Sequence, residues 1–265
     1  MGQLGKRRLD EILVARGLAP STAQAAGLIM AGKVAVEGRV EAKAGRAVDE
    51  RADVAVAAGP RYASRGGEKL VFALDRFGVD VEGKVCLDVG ASSGGFTSCL
   101  LERGAAHVHA LDVGRGLLAW SLRNDRRVTV WEKVNARRFD GTILEPAPAL
   151  LVVDVSFISI SKVLRPLVPT LAALEEIVAL LKPQFEARRD QVAPGGVVRD
   201  ADVHKDVLTK AVKLFDEIGF AGVALAASPL EGPAGNREFF LRGARGAEGR
   251  DLAPEIAAVV AAEKP

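Results

Sequence analysis

The spacing of hydrophobic and polar positions changes character about sixty residues into the chain. In the first part, apolar residues recur at helical spacing around residues 9–13 and again at 25–29, and Val34 and Val36 alternate as in a strand. This order predicts two short helices followed by short strands. Gly17 is placed to end the first helix, because a left-handed cap favours glycine, and Ser21 is placed to begin the second.

Gly59-Pro60 marks a boundary, after which short apolar runs alternate with helical patterns. The predicted strands are 85–89, 108–111, 128–131, 150–153, 177–181 and 222–226, and the predicted helices are 68–77, 96–103, 117–123, 160–174 and 201–218. Continuous apolar strands separated by helices indicate a mostly parallel sheet with helices on both faces. A last strand at 238–241 is expected to run antiparallel to its neighbour.

These patterns predict two domains of different architecture. A chain of 265 residues is long enough for one large domain and one small one. We expect a small α+β domain at 1–59, a linker at 60–64, an α/β domain at 65–243 and a tail with a short helix at 244–265.

The composition argues against several classes of protein. No run of about 18 uncharged apolar residues occurs, so a membrane span is not expected. Asp10 and Glu11 interrupt the apolar stretch that would follow a basic leader, so no secretion signal is expected either. Cys86 and Cys99 lie in apolar segments, which predicts buried free thiols in a reducing, cytoplasmic compartment. The three histidines lack metal-ligand spacing, and we expect no metal site.

The segment Asp88-Val89-Gly90-Ala91-Ser92-Ser93-Gly94-Gly95-Phe96 carries the clearest chemical signal, since it joins a predicted strand to a predicted helix. Its glycines do not follow the G-x-G-x-x-G spacing of a dinucleotide site. Asp88 would repel a pyrophosphate but tolerate a zwitterionic sulfonium such as S-adenosylmethionine. Asp112 ends the next strand, where a carboxylate can accept the ribose hydroxyls. The alternative is a glycine-rich turn needed only for packing.

Asn135 follows the third strand, where an adenine edge would lie, although asparagine at such a position is as often only a turn residue. We predict that S-adenosylmethionine is bound by Asp88, Gly90, Ala91, Ser92, Gly94, Gly95, Phe96, Asp112, Val113, Asn135 and Asp154.

The second part contains five further strings of note: Ser64-Arg65-Gly66-Gly67-Glu68-Lys69-Leu70, Asp154-Val155-Ser156-Phe157-Ile158-Ser159, Leu181-Lys182-Pro183-Gln184-Phe185-Glu186, Gly195-Gly196-Val197-Val198-Arg199-Asp200 and Gly235-Asn236-Arg237-Glu238. Together with the loop at 88–96, these strings resemble the TlyA family of ribosomal RNA 2′-O-methyltransferases, whose members also carry hemolysin-like names. Residues 7–57 resemble the RNA-binding fold named after ribosomal small-subunit protein four, with Thr22 where many relatives have arginine. The resemblance implies a Rossmann-like methyltransferase fold acting on ribosomal RNA, with cytidine as the target.

The resemblance also implies a Lys-Asp-Lys-Glu catalytic set, matched here by Lys69, Asp154, Lys182 and Glu238. A ribose 2′-hydroxyl must lose its proton as it attacks a methyl group, so it needs a base or a group that stabilises the alkoxide. Our hypothesis is that Lys182 fills one of these two roles, with Asp154 and Glu238 fixing its position. Lys69 would tune the charge or contact a phosphate. Alternatively, Glu238 forms a surface ion pair with Arg237.

The first 46 residues contain eight Lys and Arg against four Asp and Glu, whereas the whole chain has a net charge of +2. This excess suits RNA, although a solvated surface explains it nearly as well. We expect ribosomal RNA or ribosomal subunits as partners, contacted by Arg7, Arg8, Arg16, Lys33, Arg39, Arg65, Arg188 and Arg189.

Two other functions compete with an RNA methyltransferase. A membrane-active hemolysin would need an insertion segment and a secretion signal. The complete Lys-Asp-Lys-Glu set argues against the second alternative, an RNA-binding protein with an inactive methyltransferase domain. The oligomeric state is not predicted by any pattern in the sequence.

Overall fold

The structure is a computed structural model that describes residues 5–57 and 61–262. The chain divides into two units, Met1–Arg61 and Tyr62–Pro265. The division lies inside the linker expected at 60–64, while the predicted boundary at Gly59-Pro60 lies outside the described residues. The exact domain limits stay a prediction.

The described part of the first unit contains two helices and five short strands. The helices are α1 (Leu9–Ala15) and α2 (Thr22–Met30), and the strands are β1 (Lys6–Arg8), β2 (Val34–Val36), β3 (Arg39–Glu41), β4 (Ala47–Asp49) and β5 (Val54–Val56). β2 lies between β3 and β5 in an antiparallel sheet, and β1 pairs with β4. The sequence pattern missed β1 because Lys6, Arg7 and Arg8 are all exposed, so no apolar alternation marks that strand.

The predicted ends of both helices in the first unit are confirmed. Gly17 has φ +69°, the left-handed conformation expected after a helix. The amide of Gln24 donates to Ser21 Oγ at 3.3 Å, which caps α2. Leu9, Leu13 and Ile29 are fully buried in the core between the helices and strands.

The second unit is built on a seven-stranded, mostly parallel sheet, as predicted. Its strands are β6 (Val85–Val89), β7 (His107–Asp112), β8 (Val128–Glu132), β9 (Leu150–Val153), β10 (Glu176–Leu181), β11 (Phe220–Ala227) and β12 (Phe239–Arg245). The order across the sheet is β11-β12-β10-β9-β6-β7-β8, and β12 runs antiparallel to both β10 and β11. The expected antiparallel last strand is therefore confirmed.

Helices cover both faces of this sheet. They are α3 (Gly66–Phe77), α4 (Gly95–Glu102), α5 (Trp120–Arg123), α6 (Ser161–Leu167), α7 (Pro183–Glu186), α8 (Ala201–Glu217) and α9 (Ala253–Ala261). Alternate residues of β9 enter different cores: Leu150 and Val152 pack with α3 and α4, whereas Leu151 and Val153 pack with α6 and α8. This two-sided burial explains why β9 reads as a continuous apolar run. Cys86 and Cys99 are buried free thiols, as predicted.

Three predicted boundaries in the second unit were wrong. The helix expected at 117–123 begins only at Trp120. The helix expected at 160–174 ends at Leu167 and continues as a 3-10 turn over Val168–Thr170, where Pro169 lacks the amide hydrogen that a longer helix would use.

The third correction is that the strand expected at 238–241 is β12, which runs on to Arg245. Gly243 is a packing glycine within this strand, because a Cβ there would lie 2.3 Å from the ring of Phe215. The segment after it also belongs to the core, since Leu252, Ile256 and Val260 are buried against α8 and β11.

Candidate active site

The register of the sheet brings the ends of four strands to one edge. Val89 at the end of β6 pairs with Val153 at the end of β9. Val153 pairs with Ala179 of β10, and Leu181, the last residue of β10, pairs with Phe239, the first residue of β12. The residues that directly follow β6, β9 and β10, and the one that precedes β12, therefore lie along the same edge: Gly90, Asp154, Lys182 and Glu238.

The loop after β6 passes close to the backbone of Asp154. Gly90 has φ +89°, and a Cβ at this position would lie 2.3 Å from the carbonyl oxygen of Asp154. Only glycine combines this conformation with this approach. The glycine thus serves as a close-approach residue between two strand ends.

Asp112 fastens the same loop to the end of β7. The amide of Ser92 donates to Asp112 Oδ2 at 2.8 Å, and the amide of Gly114 donates to Asp112 Oδ1 at 2.7 Å. Because each carboxylate oxygen has two lone pairs, both can still accept a hydrogen bond from a ribose hydroxyl.

A cavity of about 460 Å³ opens beside this loop. Its walls are mainly apolar, with contributions from Leu111, Leu117, Val134 and Ile158. Six of the residues predicted to bind the cofactor line it: Gly90, Ser92, Asp112, Val113, Asn135 and Asp154. Asn135 also caps a 3-10 turn, since its Oδ1 accepts from the amide of Arg137 at 3.1 Å. Its adenine-binding role stays a prediction.

The other five predicted cofactor residues do not line the cavity: Asp88, Ala91, Gly94, Gly95 and Phe96 are buried behind it. Gly94 packs against Leu122, whose Cδ1 would lie 2.2 Å from an added Cβ. Phe96 stacks on Phe240. These residues support the loop on the side away from the cavity.

Asp88 is fully buried under the cofactor loop. Thr97 Oγ1 donates to Asp88 Oδ2 at 2.7 Å, while Oδ1 has no hydrogen-bond partner among the described residues. Burial raises the pKa of Asp88 to about 7, and the nearby charges of Asp154 and Asp112 contribute in the same direction. Asp88 does not line the cavity, and its raised pKa weakens the electrostatic effect expected of it on a ligand.

The four predicted catalytic residues form two ion pairs. Lys182 Nζ lies 2.5 Å from Asp154 Oδ1 and donates to Ser156 Oγ at 2.9 Å. Lys69 Nζ, from α3, donates to Glu238 Oε2 at 2.6 Å. The expectation that Glu238 fixes Lys182 was wrong: its ion pair is with Lys69, because α3 brings that lysine over the start of β12. The alternative of a surface ion pair with Arg237 was also wrong, since Glu238 is buried.

Two residues of this edge escaped the sequence analysis as functional candidates. Phe157 lines the cavity, is 91% exposed and has φ +63°, which is strained for a bulky side chain. Its ring lies 5.1 Å from that of Phe185. Glu186 accepts hydrogen bonds from Ser159 Oγ at 2.6 Å and from the amide of Ile160 at 2.8 Å, which ties the loop after β9 to α7. Hydrophobic patterns carry no signal for an exposed aromatic residue or a tethering carboxylate.

The basic residues predicted to contact RNA have different surroundings. In the first unit, Arg7 and Arg8 pair with acidic neighbours on α1, and Arg16 donates to the carbonyl oxygen of Glu50 at 2.7 Å. Lys33 and Arg39 are exposed. In the second unit, the exposed residues are Arg65, Arg188 and Arg189, of which Arg188 pairs with Asp190. Their contacts with RNA stay a prediction.

Comparisons with known proteins agree with the fold and the site. The FtsJ-like methyltransferase model matches residues 62–245, and the S4 domain model matches residues 7–54. The chain is 48% identical over 238 residues to the 16S/23S rRNA (cytidine-2′-O)-methyltransferase TlyA of Mycobacterium tuberculosis, covering 89% of each protein. This chain belongs to the TlyA family of FtsJ-like methyltransferases.

Other members of the TlyA family bear a different name. Hemolysin A of Brachyspira hyodysenteriae is 42% identical over 234 residues, which cover 88% of this chain and 97% of that protein. A solved Streptococcus thermophilus protein that bears a hemolysin name superposes with a TM-score of 0.71 at 36% identity, covering 98% of this chain and 96% of the other. Within the described residues of this TlyA-family chain, no helix is long and apolar enough to cross a membrane. No cluster of His, Cys, Asp and Glu suited to a metal ion occurs in the same ranges.

Proposed function

We propose that this TlyA-family chain transfers a methyl group from S-adenosylmethionine to the ribose 2′-hydroxyl of a cytidine in ribosomal RNA. The observation that carries the proposal is the double position of Asp154. Asp154 lines the cavity, and its Oδ1 lies 2.5 Å from Lys182 Nζ. A ligand in the cavity and a hydroxyl beside Lys182 would thus meet at one carboxylate.

The cavity suits S-adenosylmethionine in size and chemistry. Its volume of about 460 Å³ lies in the usual range for small-molecule sites. Asp112 would accept the ribose hydroxyls, Asn135 would face the adenine edge, and the apolar walls would enclose the base. When bound, the cofactor supplies an electrophilic sulfonium methyl group.

Lys182 is the residue we assign to the reacting hydroxyl. Ser156 and Asp154 hold its amino group in place. In an ion pair with a carboxylate, the lysine is an ammonium without the lone pair that a base needs. We therefore favour the electrostatic role, in which Lys182 stabilises the developing alkoxide.

Phe157 is the residue we assign to the base of the target nucleotide. Exposed aromatic rings in RNA-binding proteins commonly stack on unpaired bases. The Phe157 ring follows Ser156 in the chain and lines the same cavity as Asp154. A base stacked there would keep its ribose near Lys182.

The proposal is tested with the full chain, methyl-labelled S-adenosylmethionine and isolated small and large ribosomal subunits, each assayed separately. The expected result is label in RNA, and nuclease digestion with mass spectrometry should identify 2′-O-methylcytidine. Label on a base, or no label with either subunit, would contradict the proposal. Erythrocyte lysis measured with the same preparation serves as the control for the hemolysin alternative, which lysis without methylation would favour.

A further inference from the structure

The segment Asn236-Arg237-Glu238, just before β12, is held by contacts from three directions. Asn236 Oδ1 accepts from the amide of Val198 at 2.9 Å, and Asn236 Nδ2 donates to the carbonyl oxygen of Gly196 at 2.8 Å. Arg237 reaches the C-terminal helix, and Glu238 reaches Lys69. The carboxylate at the candidate active site is therefore part of a clamped stretch of backbone.

Arg237 makes two of these contacts, both with the C-terminal helix. Its Nη1 donates to the carbonyl oxygen of Val260 at 2.9 Å, and its Nη2 donates to that of Val259 at 2.6 Å. Both carbonyls lie in the last turn of α9, where the helix leaves them without internal partners. The negative end of the helix dipole also attracts the guanidinium group. The guanidinium lies 5.5 Å from the centre of the Phe239 ring.

Helix α9 is a firm anchor for this contact. Leu252, Ile256 and Val260 are buried in the core that α8 and β11 also form. Arg237 thus connects the backbone next to Glu238 to a part of the core that is distant in sequence.

The position of the Glu238 carboxylate tolerates little movement. Its Oε1 would lie 2.5 Å from a Cβ added to Gly232, so the carboxylate packs directly against that backbone. The amide of Ser228 donates to the carbonyl oxygen of Glu238 at 2.8 Å. A shift of the main chain at residue 237 would therefore change the geometry of the ion pair with Lys69.

We infer that Arg237 is a positioning residue for Glu238, and that α9 is part of the scaffold of the active site. The inference rests on the proposed function only for its effect on catalysis. Whether Arg237 holds this segment in place can be measured without activity, because hydrogen exchange at two amides of the loop before residue 236 reports on it. Ser228 donates to Glu238, and Gly232 donates to Asn236.

Arg245 provides a matched control at the opposite end of β12. It donates to the carbonyl oxygen of Leu174 at 2.7 Å and to that of Leu171 at 3.5 Å. Its guanidinium lies 4.9 Å from the centre of the Phe220 ring. Arg245 therefore makes the same kinds of contact as Arg237, but away from Glu238.

The experiment compares Arg237→Ala, Arg237→Lys and Arg245→Ala by amide hydrogen exchange and by steady-state methyl transfer, below the melting temperature of each variant. Arg237→Ala should speed exchange at Ser228 and Gly232 about tenfold. It should lower kcat by about 10- to 100-fold, because small misplacements of catalytic groups have effects of that size. The KM for S-adenosylmethionine should change less than about twofold, and Arg237→Lys should recover part of kcat, since one donor remains.

Arg245→Ala should lower the melting temperature by a similar amount but leave kcat and exchange at Ser228 unchanged. Equal losses of kcat in Arg237→Ala and Arg245→Ala would overturn the inference, as would faster exchange in Arg237→Ala with unchanged kcat. If the unmodified chain transfers no methyl group, the proposed function fails, and exchange at Ser228 still decides whether Arg237 holds this segment.

Discussion

The two lysine–carboxylate pairs at the sheet edge are nearly equal in length but differ in their surroundings. Lys182 and Asp154 are 2.5 Å apart, and Asp154 lines the cavity. Lys69 and Glu238 are 2.6 Å apart, and neither lines the cavity. The Glu238 side chain is only 1% exposed, against 24% for that of Asp154. A pair at the cavity can meet a substrate, whereas a sealed pair organises the site and carries a larger penalty when one partner is removed.

The largest expected effect comes from breaking the pair at the cavity. Lys182→Ala should lower methyl transfer by about 100- to 1000-fold, the size seen when one transition-state donor is removed. The affinity for S-adenosylmethionine, measured by calorimetry, should change by less than about fivefold, because Lys182 is not among the cavity-lining residues. Lys162→Ala, at an exposed position of α6, is the control. Full activity of Lys182→Ala would remove the lysine from the mechanism.

Breaking the sealed pair should lower stability as well as methyl transfer. Glu238→Gln leaves the buried Lys69 ammonium without its counter-charge and should lower the free energy of unfolding by about 3 kcal/mol. Urea denaturation measures this difference. Glu217→Gln is the matched control, since Glu217 pairs with Arg165 at 2.5 Å with both side chains about half exposed, and should lose less than about 1 kcal/mol.

The double variant Lys69→Met with Glu238→Gln sharpens the same test. Because no buried charge remains, it should recover most of the stability that Glu238→Gln loses, without recovering methyl transfer. Equal stability of Glu238→Gln and the unmodified chain would show that the pair is not sealed from water.

A third carboxylate, Asp88, is buried without a lysine partner, and this predicts a stability that depends on pH. Its pKa is raised to about 7, so the folded state holds a proton that the unfolded state releases above about pH 4. Stability contributed by this group is therefore lost as the pH rises from about 4 to 7. Asp88→Asn keeps an acceptor for Thr97 and should stabilise the chain at pH 8 by about 2 kcal/mol, with little effect at pH 4.

Thermal unfolding of Asp88→Asn at the two pH values measures this difference. Asp190→Asn, whose carboxylate pairs with Arg188 on the exposed surface, is the control and should show no such gain at pH 8. An Asp88→Asn variant that is less stable than the unmodified chain at pH 8 would show that the folded state stabilises the ionised carboxylate, so that its pKa is not raised.

The smallest effect is expected from Phe157, which lines the same cavity as Asp154. The pair of Lys69 and Glu238 has no such exposed aromatic residue assigned to it. Phe157→Ala should raise the KM for RNA by about tenfold, the loss of one stacked base, and leave cofactor affinity unchanged. Trp120→Ala removes another exposed aromatic residue and is the control. Phe157→Gly suits the positive φ, so an equal rise in KM would assign the effect to the ring rather than to backbone strain.

The apolar patterns predicted most of the scaffold. The strands at Val85–Val89 and Leu150–Val153 were predicted to the residue, because both faces of each strand are buried and every position except Asp88 is apolar. The strand β1 was missed because all of its residues are polar and exposed. The end of α6 was missed because Pro169, rather than the apolar pattern, determines it. In the site, the pairing of Lys182 with Asp154 was expected, since both residues follow parallel strands. The partner of Glu238 was assigned incorrectly.

What the sequence by itself determined is local: the strand and helix runs, the glycines of the cofactor loop, and the strings that mark the family. What only the tertiary structure decided depends on register and burial. Lys69 and Glu238 are 169 positions apart and meet because the packing of the elements brings Lys69 of α3 to the residue before β12. Arg237 and Arg245 look like surface charges in the sequence, yet both bind backbone carbonyls of distant segments. Periodicity describes which face of an element is buried, but the partner that covers that face is set by how the elements pack.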